Sequence, residues 1–253
     1  MLTEILTLNI FNFLLVFARV GSAMMLFTGF SVSFVPIQAR LMLALAISFV
    51  MTPALSSFMP GLPASVAELS LLILGEVFIG VFFGFLTRII MASLQTAGTF
   101  VAYFTGMANA FIQDPIAEQQ SSVFSSFFST LGLLVVFITN THYLMIRAIY
   151  DSYSLFTPGA LLPFGDFSNF LARQVAESFR IGLQLSSPLL VAGIAYYIGL
   201  GLISRLMPQL PVFFFALPIQ VVLQISILMA SLATIMMVFI SYFERGLFSF
   251  LAP

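Results

Sequence analysis

The chain has 253 residues, of which 61% are hydrophobic and only 7% charged, with a formal net charge of −1. Ordinary soluble domains carry about 25% charged residues, so there is too little polar surface here to cover a water-soluble globule, and there is no basic face to attract nucleic acid. Cys is absent and every cation is Arg, which removes disulfides, thiolate catalysis and cysteine metal sites.

These bounds predict an all-α, polytopic, membrane-associated protein, or one buried in a larger hydrophobic assembly, read as one helical unit. A spanning helix needs about 20 mostly apolar residues. The first such run is Ile5–Phe30. It has no cation before it and is too long for a signal-peptide core, so it reads as a retained helix. Further runs follow at Leu41–Met59, Leu69–Met91, Val123–Ile146, Phe179–Ile203 and Val212–Ile240. A shorter one, Ala97–Ile112, reads either as a seventh crossing or as a continuation of the helix before it.

The breaks between runs are chemically marked. Pro36 interrupts Ser31 to Arg40, and Pro60-Gly61-Leu62-Pro63 is a strong turn. Asp114-Pro115 disfavours helix at Asp114. Thr157-Pro158-Gly159 and Pro163-Phe164-Gly165-Asp166 bracket a longer loop, after which Ser168 is placed to cap a new helix. Arg205-Leu206-Met207-Pro208-Gln209-Leu210-Pro211 is a polar, proline-stiffened turn between the last two runs. Irregular backbone there must lie outside lipid or be buried against protein. With seven crossings and the N-terminus outside, Arg40, Arg88, Arg147, Arg173, Arg180 and Arg245 fall on the cytoplasmic side and only Arg205 outside, as the positive-inside rule favours.

Two small-residue faces stand out. Gly80 and Gly84 form one. Gly98, Ala102, Gly106 and Ala110, four residues apart, form another on a single helix face. Such faces let helix backbones approach closely, within the chain or against another subunit. Glu76 and Arg88, and Arg19 in the first run, are charges in or beside apolar segments. They read as a structural ion pair or as a proton or ion relay. Glu76 and Arg88, twelve residues apart, are too far along one helix to pair directly. His142, the one histidine, has no second His or Cys to complete a metal site and reads as a helix-end hydrogen bonder. No catalytic motif is present.

The segment from Gly106 to Gln120 is a different kind of candidate. It opens small with Gly106, Met107 and Asn109, places Phe111 and Ile112 at its middle, and turns polar through Gln113 and Asp114 before Pro115. It is either an ordinary connection or a constriction element, since apolar side chains on a pliant segment can close a pore by excluding water.

The ordered set of motifs resembles a known family. Gly199-Leu200-Gly201-Leu202-Ile203-Ser204-Arg205-Leu206-Met207-Pro208-Gln209, followed by Val212-Phe213 and Leu217-Pro218, is similar to the signature of the FliR family of flagellar biosynthetic proteins, related to the SctT proteins of virulence injectisomes. Glu76-Val77-Phe78-Ile79-Gly80 with Gly84-Phe85, Thr96-Ala97-Gly98, Gly106, Asp114-Pro115, and Gly182-Leu183-Gln184-Leu185 with Pro188 fit the same family in order.

The resemblance implies a non-enzymatic structural subunit of the type III secretion export gate, in the bacterial inner membrane at the flagellar basal body. It implies FliP and FliQ as partners in a conical hetero-oligomer of kinked helical hairpins, with FlhB adjacent and membrane lipid around. Unfolded flagellar proteins would be the passing substrate, and no cofactor or metal is implied. Residues 1–205 would correspond to a FliP-like part and 206–253 to a FliQ-like remainder. The segment 106–120 would be the pore plug, and Gly199, Gly201, Arg205, Pro208 and Gln209 would make helix or subunit contacts. The rival reading is a secondary transporter for a small solute, with Glu76, Arg88 or His142 as a coupling site near mid-depth.

Overall fold

The computed structural model describes residues 2–31, 35–108, 111–114, 119–160, 162–207, 209 and 212–248. These residues form seven α-helices: α1 (Leu2–Leu26), α2 (Ile37–Ala54), α3 (Val66–Thr105), α4 (Val123–Ile138), α5 (His142–Leu155), α6 (Phe164–Leu206) and α7 (Val212–Phe248). A 3-10 turn, Ser56–Phe58, follows α2. Two short strands, β1 (Phe111–Asp114) and β2 (Gln119–Ser122), pair antiparallel between α3 and α4, with Phe111 opposite Ser122 and Asp114 opposite Gln119. This hairpin is the departure, among the described residues, from an otherwise all-helical chain.

Among the described residues five helices are long and apolar enough to cross a membrane: α1, α2, α3, α6 and α7. A sixth crossing arises if α4 and α5, bent 71° to one another, form one span. Among the described residues there is no seventh crossing, so of the two readings of Ala97–Ile112 the continuation holds, and the arginine asymmetry that rested on seven crossings no longer fixes an orientation. The difference lies in α3. Ser93, Gln95, Thr96 and Thr99 look like an interruption in the sequence, but the helix runs through them. Thr96 Oγ1 donates to the Ala92 carbonyl and Thr99 Oγ1 to the Gln95 carbonyl, both at 2.9 Å. Hydroxyls satisfied on their own helix do not break it. The run Ala97–Ile112 is thus the C-terminal part of α3 followed by β1.

Two other boundaries moved for local reasons. α6 begins at Phe164, because the Asp166 and Phe167 amides both donate to the Pro163 carbonyl (3.0 and 3.1 Å). Asp166 sits in the first turn, where the helix dipole favours an acid, and Ser168 lies inside the helix rather than capping it. The apolar run Val123–Ile146 is split at Asn140, which adopts a left-handed conformation (φ 59°). The Asn140 amide donates to Phe137 O and the Thr141 amide to Val136 O, the closure that ends a helix on an Asn or Gly.

The chain divides into two units. The first is Met1–Ile90, Val136–Val175 and Phe243–Pro253; the second is Met91–Val135 and Ala176–Tyr242. α3, α4, α6 and α7 each contribute to both. In the first unit α1 is central: Leu15, Val16, Val20, Ala23 and Met24 are buried. Phe167 meets Phe82, Phe156 and Phe78 with ring centroids 4.6, 5.0 and 5.5 Å apart. In the second unit Leu94, Ala97, Val101, Phe128, Leu189 and Phe239 form the core.

At ~1.5 Å per residue, α3, α6 and α7, with 40, 43 and 37 residues, are roughly twice the ~30 Å depth of a hydrocarbon core. Their outer faces stay apolar: Phe214, Val222 and Met229 on α7 and Val191, Ile198 and Leu202 on α6 are exposed. Pro188 and Pro218 lie inside α6 and α7, each removing one backbone donor from its helix.

Candidate functional site

Three places in the chain gather residues singled out by sequence. The first, in the first unit, is built on Glu76 of α3. Its carboxylate takes Arg19 Nε at 2.7 Å and Nη2 at 2.9 Å, a two-pronged pairing across 57 positions of sequence. Arg19 also donates from Nη1 to Ser152 Oγ (2.9 Å) and from Nη2 to the Phe156 carbonyl (2.8 Å), while its guanidinium lies 3.7 Å from the centre of the Tyr153 ring. Arg19 is 0% exposed and Glu76 1%. A buried charge is tolerable when paired and hydrogen-bonded. Here the planar fork of Arg matches the carboxylate edge to edge. The arrangement pins α1, α3 and α5 together.

Glu76 is thus ion-paired with Arg19, in keeping with the spacing that put Arg88 out of its direct reach. Arg88 is exposed; its Nε donates to the Leu26 carbonyl (3.1 Å) and its Nη2 to Ser31 Oγ (3.3 Å), so it caps the C-terminal end of α1. Such a position suits a cation. A polar chain leading from Glu76 to Arg88 is not formed by these contacts. His142 opens α5 and its ring stacks on Phe137 at 4.9 Å. Its Nδ1 is buried without a hydrogen-bond partner, so the expected helix-end hydrogen bond is not made from that atom.

The second place is the small-residue faces. A methyl group on Gly80 would overlap the Ser22 hydroxyl and the Arg19 carbonyl of α1, and one on Gly84 would overlap Leu26. Close approach of α1 and α3 is thus what these glycines permit. Gly98 does the same in the second unit: a methyl there would lie 2.6 Å from the Ser125 amide nitrogen of α4. Ala102 is buried on the same face. The expected four-residue stripe stops there, because α3 ends at Thr105. Gly106 has open space around it and Ala110 lies outside the described residues. Gly199 and Gly201 have nothing within 4 Å. Arg205 and Gln209 are exposed at the end of α6 and in the turn after it; Pro208 is outside the described residues.

The third place is the exit from α3 into the hairpin. Gly106 takes φ +74°, which glycine adopts without strain. Its amide donates to Tyr103 O (3.2 Å) and the Met107 amide reaches back to Ala102 O (3.0 Å), the paired closure of a Schellman motif. Phe111, Ile112, Gln113 and Asp114 then form β1. Asn109 and Pro115 lie outside the described residues.

Elsewhere, one groove of about 580 Å³ runs between α1 and α2, lined by Asn9, Asn12, Phe13, Phe49, Thr52 and their neighbours. Another, of about 530 Å³, lies between α6 and α7 beside Gln184, Ser187, Ser231 and Thr234. Neither is lined by an ionisable side chain. Among the described residues no group of three or more His, Asp or Glu is placed to hold a metal.

The family described as "Bacterial export proteins, family 1" matches residues 10–246. The chain is 35% identical over 224 residues to a flagellar biosynthetic protein FliR of Caulobacter vibrioides, covering 88% of this chain and 89% of that protein. It is 30% identical over 241 residues to FliR of Aquifex aeolicus, covering 91% and 89%. Over 161 residues it is 27% identical to the secretion system apparatus protein SsaT of Salmonella typhimurium, covering 63% and 62%.

Proposed function

The chain belongs to the bacterial export proteins, family 1, and from that membership we propose that it is a structural subunit of the flagellar type III secretion export gate, through which unfolded flagellar proteins pass. The carrying observation is the length of the match. The family covers residues 10–246, and the Caulobacter FliR aligns along nearly nine-tenths of both chains. A shared short motif would transfer little; a match that includes every long helix transfers an architecture.

The physical character of the chain supports this reading. Helices far longer than a bilayer, apolar along faces that this chain leaves open, need protein neighbours rather than lipid alone. We assign FliP- and FliQ-type subunits to those faces, with FlhB adjacent, in the bacterial inner membrane at the flagellar basal body. The division into a FliP-like part, 1–205, and a FliQ-like remainder, 206–253, puts the boundary in the last turn of α6. The chain acts as a scaffold and not as an enzyme. The solute-transporter alternative lacks support: Glu76 is locked to Arg19, Arg88 is tied to the end of α1, and neither the α1–α2 groove nor the α6–α7 groove is lined by an ionisable side chain.

Purification of the tagged chain from its own cells in mild detergent tests the assignment. Co-elution with FliP- and FliQ-type chains is expected. A monomer that takes up solute unaided in liposomes would overturn it.

Within the gate we assign the 106–120 segment, with Phe111 and Ile112 at its middle, as the plug. Support comes from its position: a short hairpin held between two helices that are packed against each other at Gly98. Phe111→Gly with Ile112→Gly should raise ion leakage of the assembled pore. Normal assembly with unchanged conductance would reject the plug.

A further inference from the structure

At the end of α3 the Phe104 carbonyl has no following turn of helix to supply its donor. The Schellman closure uses the Ala102 and Tyr103 carbonyls, and the next carbonyl, that of Phe104, points past the end of the helix ladder. Gln220 of α7 supplies the missing donor: its Nε2 lies 2.6 Å from Phe104 O and 2.9 Å from the Tyr197 hydroxyl of α6. Gln220 is 1% exposed and stands in an apolar helix two residues after Pro218. Burying an amide there is costly unless its hydrogens are bonded, and both have acceptors. Four residues on, buried Gln224 donates to the Leu189 carbonyl (3.3 Å), and Tyr196 donates to the Ala216 carbonyl. The donor thus sits on a helix pair that is itself tied together.

We propose that Gln220, backed by Tyr197, is a positioning residue that fixes the direction in which the chain leaves α3 for the β1–β2 hairpin. Two residues after the gripped carbonyl comes Gly106, the left-handed position at which the chain turns. Loss of the grip releases the last turn of α3 and lets the hairpin swing about Gly106. Movement of α6 and α7 is thereby coupled to the hairpin through one side chain. This inference rests on the plug reading above, and the experiment separates the two.

The gate is assembled with its partner chains carrying wild-type protein, Gln220→Met, or the Phe111→Gly, Ile112→Gly pair. Three quantities are read: complex yield, ion leakage, and hydrogen exchange of the Gly106 and Met107 amides. Gln220→Met keeps length and volume but has no N–H. The expected result is normal yield, leakage raised several-fold, and exchange at those two amides faster by about fivefold to tenfold, the loss of roughly one buried hydrogen bond. A sealed Gln220→Met gate beside a leaking Phe111, Ile112 variant would overturn the inference and spare the plug. If neither variant leaks, both fall. Should Gln220→Met fail to assemble, Tyr197→Phe, at a half-exposed position, is read in the same way, and a sealed gate with unchanged exchange would overturn the proposal.

Discussion

Removing the carboxylate of Glu76 is the sharpest test of how the first unit is held. In Glu76→Ala the Arg19 guanidinium keeps Ser152, the Phe156 carbonyl and the Tyr153 face but loses its counter-charge, in a site with no exposed surface. Stranding one partner of a buried pair costs about 3–5 kcal/mol, a large part of the ~5–15 kcal/mol that holds an average domain folded. The double change Arg19→Met, Glu76→Met removes both charges. Its remaining loss is the donor to the Phe156 carbonyl, about 1–3 kcal/mol, because Ser152 still donates to Ile149 O (2.6 Å). The double variant should therefore be more stable than Glu76→Ala alone. A double-mutant cycle on unfolding midpoints in mild detergent should show coupling of about 2 kcal/mol or more. Single variants that melt with wild type, or a double variant as weak as the two losses added, would refute the clamp. A double variant that folds and assembles yet cannot support export would show that the charges do more than hold helices.

Other expectations follow from the same geometry. Gly80→Ala puts a methyl into the Arg19 backbone carbonyl, which cannot rotate away, so stability should fall by about 1–3 kcal/mol, read as a lower melting midpoint. Gly84→Ala drives its methyl into Leu26 Cβ, an atom fixed to the backbone of α1, and should cost a similar amount. Gly199→Leu and Gly201→Leu point into open space. They should leave the chain's own thermal stability unchanged and reduce recovery of partner subunits, measured by quantitative co-purification. Arg88→Ala loses an exposed cap on α1 and should lower stability by at most about 0.5 kcal/mol.

Spacing and composition made much of this architecture legible. Gly80 and Gly84, four apart in an apolar run, announced a close helix contact. The structure supplies α1 as the neighbour. Glu76 stood out as a charge among hydrophobes, but its partner lies 57 residues earlier, and nothing local links positions on different helices. The long α3 was half legible: Ala97–Ile112 read either as a crossing of its own or as a continuation of the helix before it, and the Thr96 and Thr99 hydroxyls folded back on the helix show why the polar stretch does not break it. The β1–β2 hairpin was hidden, since a strand of four residues leaves no alternation to read. Asn140 carried a usable sign: Asn is the residue besides Gly that most readily ends a helix in the left-handed region. Gln220 and Gln224 also left a trace, as two amides one turn apart in an otherwise greasy helix. Only the free acceptor at the end of α3 gives that trace a meaning.

The oily outer flanks of α6 and α7 bear on manufacture as well as on architecture. A newly made copy waiting alone exposes side chains such as Phe214, 81% accessible, that water and lipid headgroups solvate badly. Its safe lifetime is set by how soon companions arrive. Cells that make this polypeptide in excess of them should clear the surplus by proteolysis, so its abundance should track theirs.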